Sequence, residues 1–103
     1  YGPGTNLAHA GSIIFNSECQ IHYICSAIEF MINRNLKTMT VKADVEHEYQ
    51  NRFDDRHKRM VWQHHNVSSW YQNSDGKVVT TSPWKLLEYW NWTNNFNEDD
   101  YDF

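Results

Sequence analysis

The spacing of apolar residues predicts a long first helix, from Ser17 to about Asn33. Apolar side chains recur there three, four and seven residues apart, which places them in one stripe along a helix: Ile21, Ile24, Cys25, Ile28, Met31 and Ile32. Ser12 or Asn16 can cap the start of this helix, and the Asn-Arg-Asn run at 33–35 is a suitable end. We therefore expect this helix to pack against another element.

A second amphipathic helix is predicted over residues 44–62. Asp44 is a good N-cap residue. Apolar side chains recur on one side of this stretch, at Val45, Tyr49, Phe53 and Met60. The other side carries charges of both signs between residues 54 and 59, a pattern typical of a solvated helix face.

The remaining stretches predict short elements. Residues 37–42 (KTMTVK) favour a short strand or an extended linker. Residues 68–82 (SSWYQNSDGKVVTTS) predict two short strands joined at 73–76, because Asp-Gly favours a hairpin turn. Pro83 suits a first helical turn, and the apolar residues that follow predict a short third helix. The acidic, aperiodic tail from Asn94 is expected to be irregular. The predicted fold class is α+β, with amphipathic helices packed with a small antiparallel hairpin.

Composition narrows the class of protein. With 103 residues the chain forms at most one small domain, and its 16% aromatic content supplies large side chains for a thin core, to which we assign Tyr71 and Trp84. A net charge of −4 argues against nucleic acid as a partner, and no apolar run is long enough to span a membrane. Cys19 and Cys25 lie six residues apart in one predicted helix and point in opposed directions, so we expect free thiols and a cytoplasmic location.

Residue motifs by themselves indicate no reaction and no catalytic residue. The six histidines include the adjacent pair His64 and His65, but neighbouring histidines project in different directions, and the paired spacing of a zinc-binding helix is absent. We therefore expect no metal site. Neither a phosphate-binding glycine loop nor a serine nucleophile motif occurs in the 103 residues.

The opening stretch is more informative, because Gly2-Pro3-Gly4 leads towards the first helix. A glycine-rich turn at a helix start presents backbone N–H groups and the positive end of the helix dipole to an anionic group. Many such turns only reverse the chain, and that simpler interpretation stays open, for Pro3 in particular.

Two stretches resemble a known family. YGPGTNLAHAGSIIFNSECQIHYI (1–24) and MVWQHHNVSSWYQNSDGKVVTTSPWKLLEYW (60–90) are similar to the C-terminal end of class B flavin-containing monooxygenases of the Baeyer–Villiger type, closest to 4-hydroxyacetophenone monooxygenase-like members. The resemblance implies that residues 1–35 end an FAD-binding domain and that residues 36–103 form a C-terminal helix-hairpin-helix region. The parent enzyme would be α/β, with FAD- and NADP-binding Rossmann-like domains.

The same resemblance implies candidate cofactor contacts in two groups. The FAD side comprises Gly2, Pro3, Gly4, Thr5, Asn6 and Leu7, and the NADP side comprises Trp70, Asn73 and Lys77. Trp70 would contact the nicotinamide and border the substrate pocket. Its alternative is a ring buried in the hairpin, and Gly76 is explained by the turn alone.

The resemblance implies an FAD- and NADPH-dependent monooxygenase that inserts one oxygen atom from O2 into a ketone or a soft heteroatom. The dinucleotide-binding fingerprints are absent from these residues, so the segment alone is expected neither to hold FAD and NADP nor to be catalytic. Its expected partners are the remainder of the monooxygenase chain, a small organic substrate, and a second copy through exposed apolar faces. The alternative from another class is a stand-alone α+β interaction module whose exposed aromatic residues bind a partner.

Overall fold

Three α-helices and a two-stranded antiparallel sheet form the described fold in this computed structural model, which describes residues 2–7 and 11–103. The predicted α+β class is therefore confirmed. The helices are α1 (Ile13–Asn33), α2 (Ala43–His57) and α3 (Leu86–Thr93), and the strands are β1 (Thr40–Val41) and β2 (Tyr101–Asp102). Two short 3₁₀ helices cover Val61–Gln63 and Glu98–Asp100.

Helix α1 begins and ends where its predicted caps lie. The Ser12 hydroxyl accepts a hydrogen bond from the Phe15 backbone N–H at 3.2 Å, which satisfies one of the free donors of the first turn. Asn35, just beyond the helix, has a φ of 53° and so takes the left-handed conformation that commonly ends a helix. Of the two candidate N-caps, Ser12 is the one used, so α1 begins at Ile13 rather than at Ser17, while its predicted end is confirmed.

The face that α1 buries differs from the prediction. The buried residues of α1 lie on the side that faces α3, and they are Asn16, Cys19, Gln20 and Ala27. The isoleucines of the predicted stripe stay largely exposed. Helix α1 packs on another element, as expected, but through other residues than the predicted stripe, because α3 and the C-terminal tail lie against a different side of α1.

The acidic tail is ordered by its aromatic residues, so the prediction of an irregular tail is wrong. The Phe96 and Phe103 rings each lie 5.3 Å from the Phe30 ring of α1, and the Tyr101 hydroxyl is 2.9 Å from the Tyr23 hydroxyl. These contacts bring β2 beside β1, where Val41 pairs with Tyr101. Burial of the rings on α1 offsets the weak local propensity of the acidic residues.

The predicted Asp-Gly turn forms, but the strands beside it do not. Gly76 has a φ of 75°, and the Asn73 side-chain oxygen accepts hydrogen bonds from the Asp75 and Lys77 backbone N–H groups at 3.0 and 2.9 Å. A single antiparallel bridge, Gln72 to Val78, replaces the expected two-stranded ladder.

Some predicted helix boundaries also shift. The N-cap of α2 is Lys42 rather than Asp44, and α2 ends at His57 and not at residue 62. Pro83 is buried ahead of α3 and does not lie in its first turn.

The core is centred on Trp84, as predicted. Trp84 is 1% exposed, and its ring lies 5.7 Å from Tyr49 and 4.7 Å from Trp92. Its indole N–H donates to the Tyr49 hydroxyl at 3.0 Å. Tyr71, the other predicted core residue, is only half-buried and packs against the Trp62 ring at 5.8 Å.

Candidate functional site: the glycine turn and the tryptophan loop

The candidate FAD-side turn, residues 2–7, is held by backbone hydrogen bonds to the segment that follows the Asp-Gly turn. The Gly4 N–H donates to the Val79 carbonyl at 2.9 Å, and the Asn6 N–H donates to the Thr80 carbonyl at 3.0 Å. The Ser82 N–H donates back to the Asn6 carbonyl at 2.8 Å, so the two segments run parallel. This pairing satisfies the backbone donors of Gly4, Asn6 and Ser82.

Gly4 is required by its conformation and by its surroundings. Its φ is +71°, a left-handed conformation that side chains with a Cβ disfavour. A Cβ at this position would lie 2.7 Å from Cε2 of Phe53, a buried residue of α2. The turn therefore sits directly on the α2 ring, with its inner side buried.

The outer side of the turn is open. Gly2, Pro3 and Asn6 are exposed, Thr5 and Leu7 are half-buried, and a Cβ on Gly2 would meet nothing within 4 Å. The Thr5 hydroxyl donates to the Gly2 carbonyl at 2.7 Å, which fixes the shape of the turn. An extended group such as the edge of a flavin ring can thus approach this backbone without displacing a side chain of the described chain.

The same turn is tied to α1. The Asn16 side-chain amide donates to the Thr5 carbonyl at 3.2 Å, and Asn16 is buried in the second turn of the helix. The first turn of α1 contains no acidic residue, so no carboxylate in that turn neutralises the positive end of the helix dipole. This electrostatic setting suits an anionic or reduced cofactor near the helix start.

On the candidate NADP side, Trp70 is an exposed ring. It is 75% exposed, and its ring centroid lies 4.2 Å from that of Tyr71. The alternative of a buried hairpin ring is therefore wrong. A large exposed indole on a loop is available to stack on a planar ligand.

The other two candidate residues on this side make contacts within the chain. The Asn73 side-chain oxygen holds the Asp-Gly turn, as described above, and the Lys77 ammonium lies 2.9 Å from a carboxylate oxygen of Asp54 on α2. Both residues thus fix the position of the loop that carries Trp70.

The structure links the two candidate sides through one short segment. Residues 78–82 leave the Asp-Gly turn and continue directly into the pairing with residues 4–6. Gln63 braces this segment, because its side-chain amide donates to the Gly76 carbonyl at 2.8 Å and its oxygen accepts from the Val78 N–H at 3.0 Å. Sequence reasoning missed Gln63 and Phe53 as supports, since one is a polar residue without a motif and the other appeared only as part of an apolar stripe.

A cleft of about 280 Å³ lies beside this brace and is lined by His57 and Lys77 among others. His57 is 2% exposed, and its Nδ1 lies 3.1 Å from the Phe53 carbonyl oxygen. Burial lowers the pKa of His57, although nearby carbonyl groups and the Asp54 carboxylate act in the opposite direction. The imidazole therefore stays neutral in the folded chain at pH values where a free histidine would bind a proton.

This burial predicts a pH-dependent stability. Below about pH 6.5 the unfolded chain binds a proton at His57 that the folded chain does not bind, so the free energy of unfolding should fall by up to ~1.4 kcal/mol per pH unit from this group. The stabilisation that comes from keeping His57 neutral in the folded chain is fully present above that pH, and it is lost as the pH decreases below it. His57→Gln should reduce this slope in urea unfolding, whereas His47→Gln, at an exposed position of α2, should leave it unchanged. Equal slopes for wild type and His57→Gln would contradict the prediction.

Metal-ligand clusters and membrane-spanning helices are absent from the described part of the chain. Within residues 2–7 and 11–103, no three histidine, cysteine or acidic side chains come together as a metal site. Both cysteines are free, as predicted, with Cys19 buried and Cys25 exposed. Of the described helices, none combines the length and apolarity that crossing a bilayer requires.

Comparison with known proteins identifies monooxygenase relatives. The chain is 38% identical to an uncharacterized monooxygenase of Sinorhizobium fredii over 101 residues, which is 98% of this chain and 15% of the relative. It is 36% identical to a Baeyer–Villiger monooxygenase of Pseudomonas aeruginosa over 70 residues, or 68% of this chain and 13% of the relative. Protein-family profiles give no match, and no solved structure matches.

Both relatives are named as monooxygenases, the class of enzyme that residues 1–24 and 60–90 resemble. The first similarity extends over nearly the whole chain, so it includes α1, the loop and α3 together. The chain matches only a short part of each relative, 15% and 13% of their lengths. The chain is therefore similar, over most of its length, to a short segment of two monooxygenases, one of them a Baeyer–Villiger enzyme.

Proposed function

We propose that this chain is the C-terminal segment of an FAD- and NADPH-dependent monooxygenase that inserts one oxygen atom from O2 into a ketone or a soft heteroatom. The observation that carries the proposal is the shared scaffold of the two candidate sides. The open outer side of the glycine turn and the exposed Trp70 loop are joined by residues 78–82. Similarity to a Baeyer–Villiger monooxygenase supports the reaction class.

In this proposal the flavin supplies the redox and oxygen-activating chemistry. The residues of this chain would bind the flavin and the nicotinamide and orient them. The exposed backbone of Gly2 and Pro3 would border the flavin edge, and the start of α1 would favour negative charge on it. Trp70 would stack on the nicotinamide and limit the access of water to the reacting atoms.

The remaining binding groups would come from outside these 103 residues. A dinucleotide is normally held by a βαβ unit with a glycine-rich fingerprint, and the present sequence has none. We therefore propose that the segment alone does not turn over. Its supports, Gln63 and the Lys77–Asp54 ion pair, would position the Trp70 loop in the complete enzyme.

The proposal is tested by Trp70→Ala in the complete enzyme. Aromatic stacking contributes about 0.5–1.5 kcal/mol, so the KM for NADPH should rise roughly 2- to 10-fold, or NADPH oxidation should become uncoupled from product formation. Steady-state kinetics with peroxide detection measure both. The control is Trp90→Ala, since Trp90 is a 41% exposed ring that lies on α3 and not on the loop that carries Trp70. Unchanged NADPH affinity and coupling in Trp70→Ala would exclude this role for Trp70, and purified enzyme without flavin absorbance would overturn the proposed cofactor.

A further inference from the structure

Six isoleucines lie largely exposed along one side of α1. Their exposed fractions range from 46% to 73%, and the residues are Ile13, Ile14, Ile21, Ile24, Ile28 and Ile32. We call this set the isoleucine face. At about 1.5 Å of rise per residue it extends over roughly 28 Å of the helix.

The other sides of α1 have different surroundings. One side is covered by α3 and the aromatic tail, and it buries Cys19 and Ala27. A third side is polar and exposed, with Glu18, His22 and Glu29. A helix that is apolar on two of its three sides is typical of a position between two packed layers, with only the polar side in contact with solvent.

We propose that the isoleucine face packs against the part of the monooxygenase chain that lies outside these 103 residues. The length of the relatives supports this occupant, because the matched segment is only 15% and 13% of their chains. The inference rests on the proposed function only in taking the chain as a segment of a longer enzyme. It does not depend on which cofactor that enzyme binds.

The area of the face favours an intramolecular contact over a second copy of this chain. Six isoleucines, each exposed by about half to three quarters, present roughly 400–600 Å² of apolar surface, counting about 30–40 Å² for each of their four side-chain carbons. Stable complexes between separate proteins bury about 800 Å² on each partner. Within one chain the covalent connection removes most of the entropic cost of association, so a smaller face is sufficient.

Cysteine labelling of the complete enzyme tests the inference. Two reporters, Ile28→Cys and Glu29→Cys, are introduced separately with Cys25 replaced by serine, and maleimide labelling is followed by peptide mass spectrometry. The two positions are adjacent in sequence but lie on different sides of α1, and both are exposed in the described fold. We expect Ile28→Cys to label at least about tenfold more slowly than Glu29→Cys, because labelling a packed position requires local opening. In urea the two rates should be equal.

The result that overturns the inference is equal labelling of both positions in the native enzyme. Protection of Ile28→Cys that disappears on dilution, together with a dimer mass by light scattering, would also overturn it in favour of a second copy. Ile24→Cys provides a second reporter if Ile28→Cys fails to fold. Flavin content is measured on the same samples. Protection without bound flavin would therefore support the packing inference while the proposed function fails, and bound flavin with equal labelling would show the reverse.

Discussion

Replacing Trp84 by alanine is expected to lower the free energy of unfolding by about 3–5 kcal/mol, the range for removing a buried large aromatic ring. Trp84 is 1% exposed and contacts Tyr49, Phe53 and Trp92 through ring faces and edges. The substitution leaves a cavity among these rings and deprives the Tyr49 hydroxyl of its indole donor. For a small domain with a stability of about 5–15 kcal/mol, this is a large fraction of the total.

The matched control is Trp70→Ala, which removes the same side chain from a position that is 75% exposed. Its effect on unfolding should stay within about 0.5 kcal/mol, because few buried contacts are lost. Urea titrations followed by far-UV circular dichroism measure both variants, and an unchanged slope with urea shows that the unfolded state is comparable. Equal losses for the two tryptophan variants would show that Trp84 does not form the core in solution.

Gly4→Ala should produce the second large loss. The left-handed conformation of Gly4 costs alanine about 1–2 kcal/mol, and the overlap of the new Cβ with Phe53 adds about 1–3 kcal/mol. Gly76→Ala is a close control, since its φ of +75° resembles the +71° of Gly4, but a Cβ there meets nothing within 4 Å. The difference between the two free energies of unfolding therefore isolates the contact with the Phe53 ring.

A double variant separates this contact from backbone strain. Phe53→Leu shortens the side chain under the turn, so Gly4→Ala should cost less in that background, with a coupling energy of about 0.5–3 kcal/mol. In the complete enzyme, Gly4→Ala should also reduce the fraction of flavin retained, because the added methyl group pushes the turn away from the Phe53 ring of α2. Additive free energies would contradict the predicted contact, and full flavin retention would remove this turn from the proposed cofactor site.

Much of the local structure of α1 and of the Asp-Gly turn follows from the sequence. The cap at Ser12, the end of the helix at 33–35 and the turn at Gly76 depend on interactions between residues close in the chain, and all three were predicted. The two candidate sides were also identified from sequence, through the resemblance of residues 1–24 and 60–90 to a family. Their role in binding cofactors stays a prediction.

The pairing of distant segments could not be predicted in the same way. Residues 78–82 have the pattern of a hairpin strand, yet they pair with residues 4–6, and the acidic tail forms a strand beside β1. Either partner can form backbone hydrogen bonds along this segment. The choice depends on where Phe53 and Phe30 place their rings in the folded chain.

The sequence by itself determined the three helices, the Asp-Gly turn and the resemblance to monooxygenases, because these depend on local spacing and on motifs. The tertiary structure alone decided which side of α1 is buried. Both sides of that helix carry apolar residues, so periodicity indicates that a stripe can pack but not which element it meets. Burial follows from the surfaces that are brought into contact, and these include segments far apart in the chain.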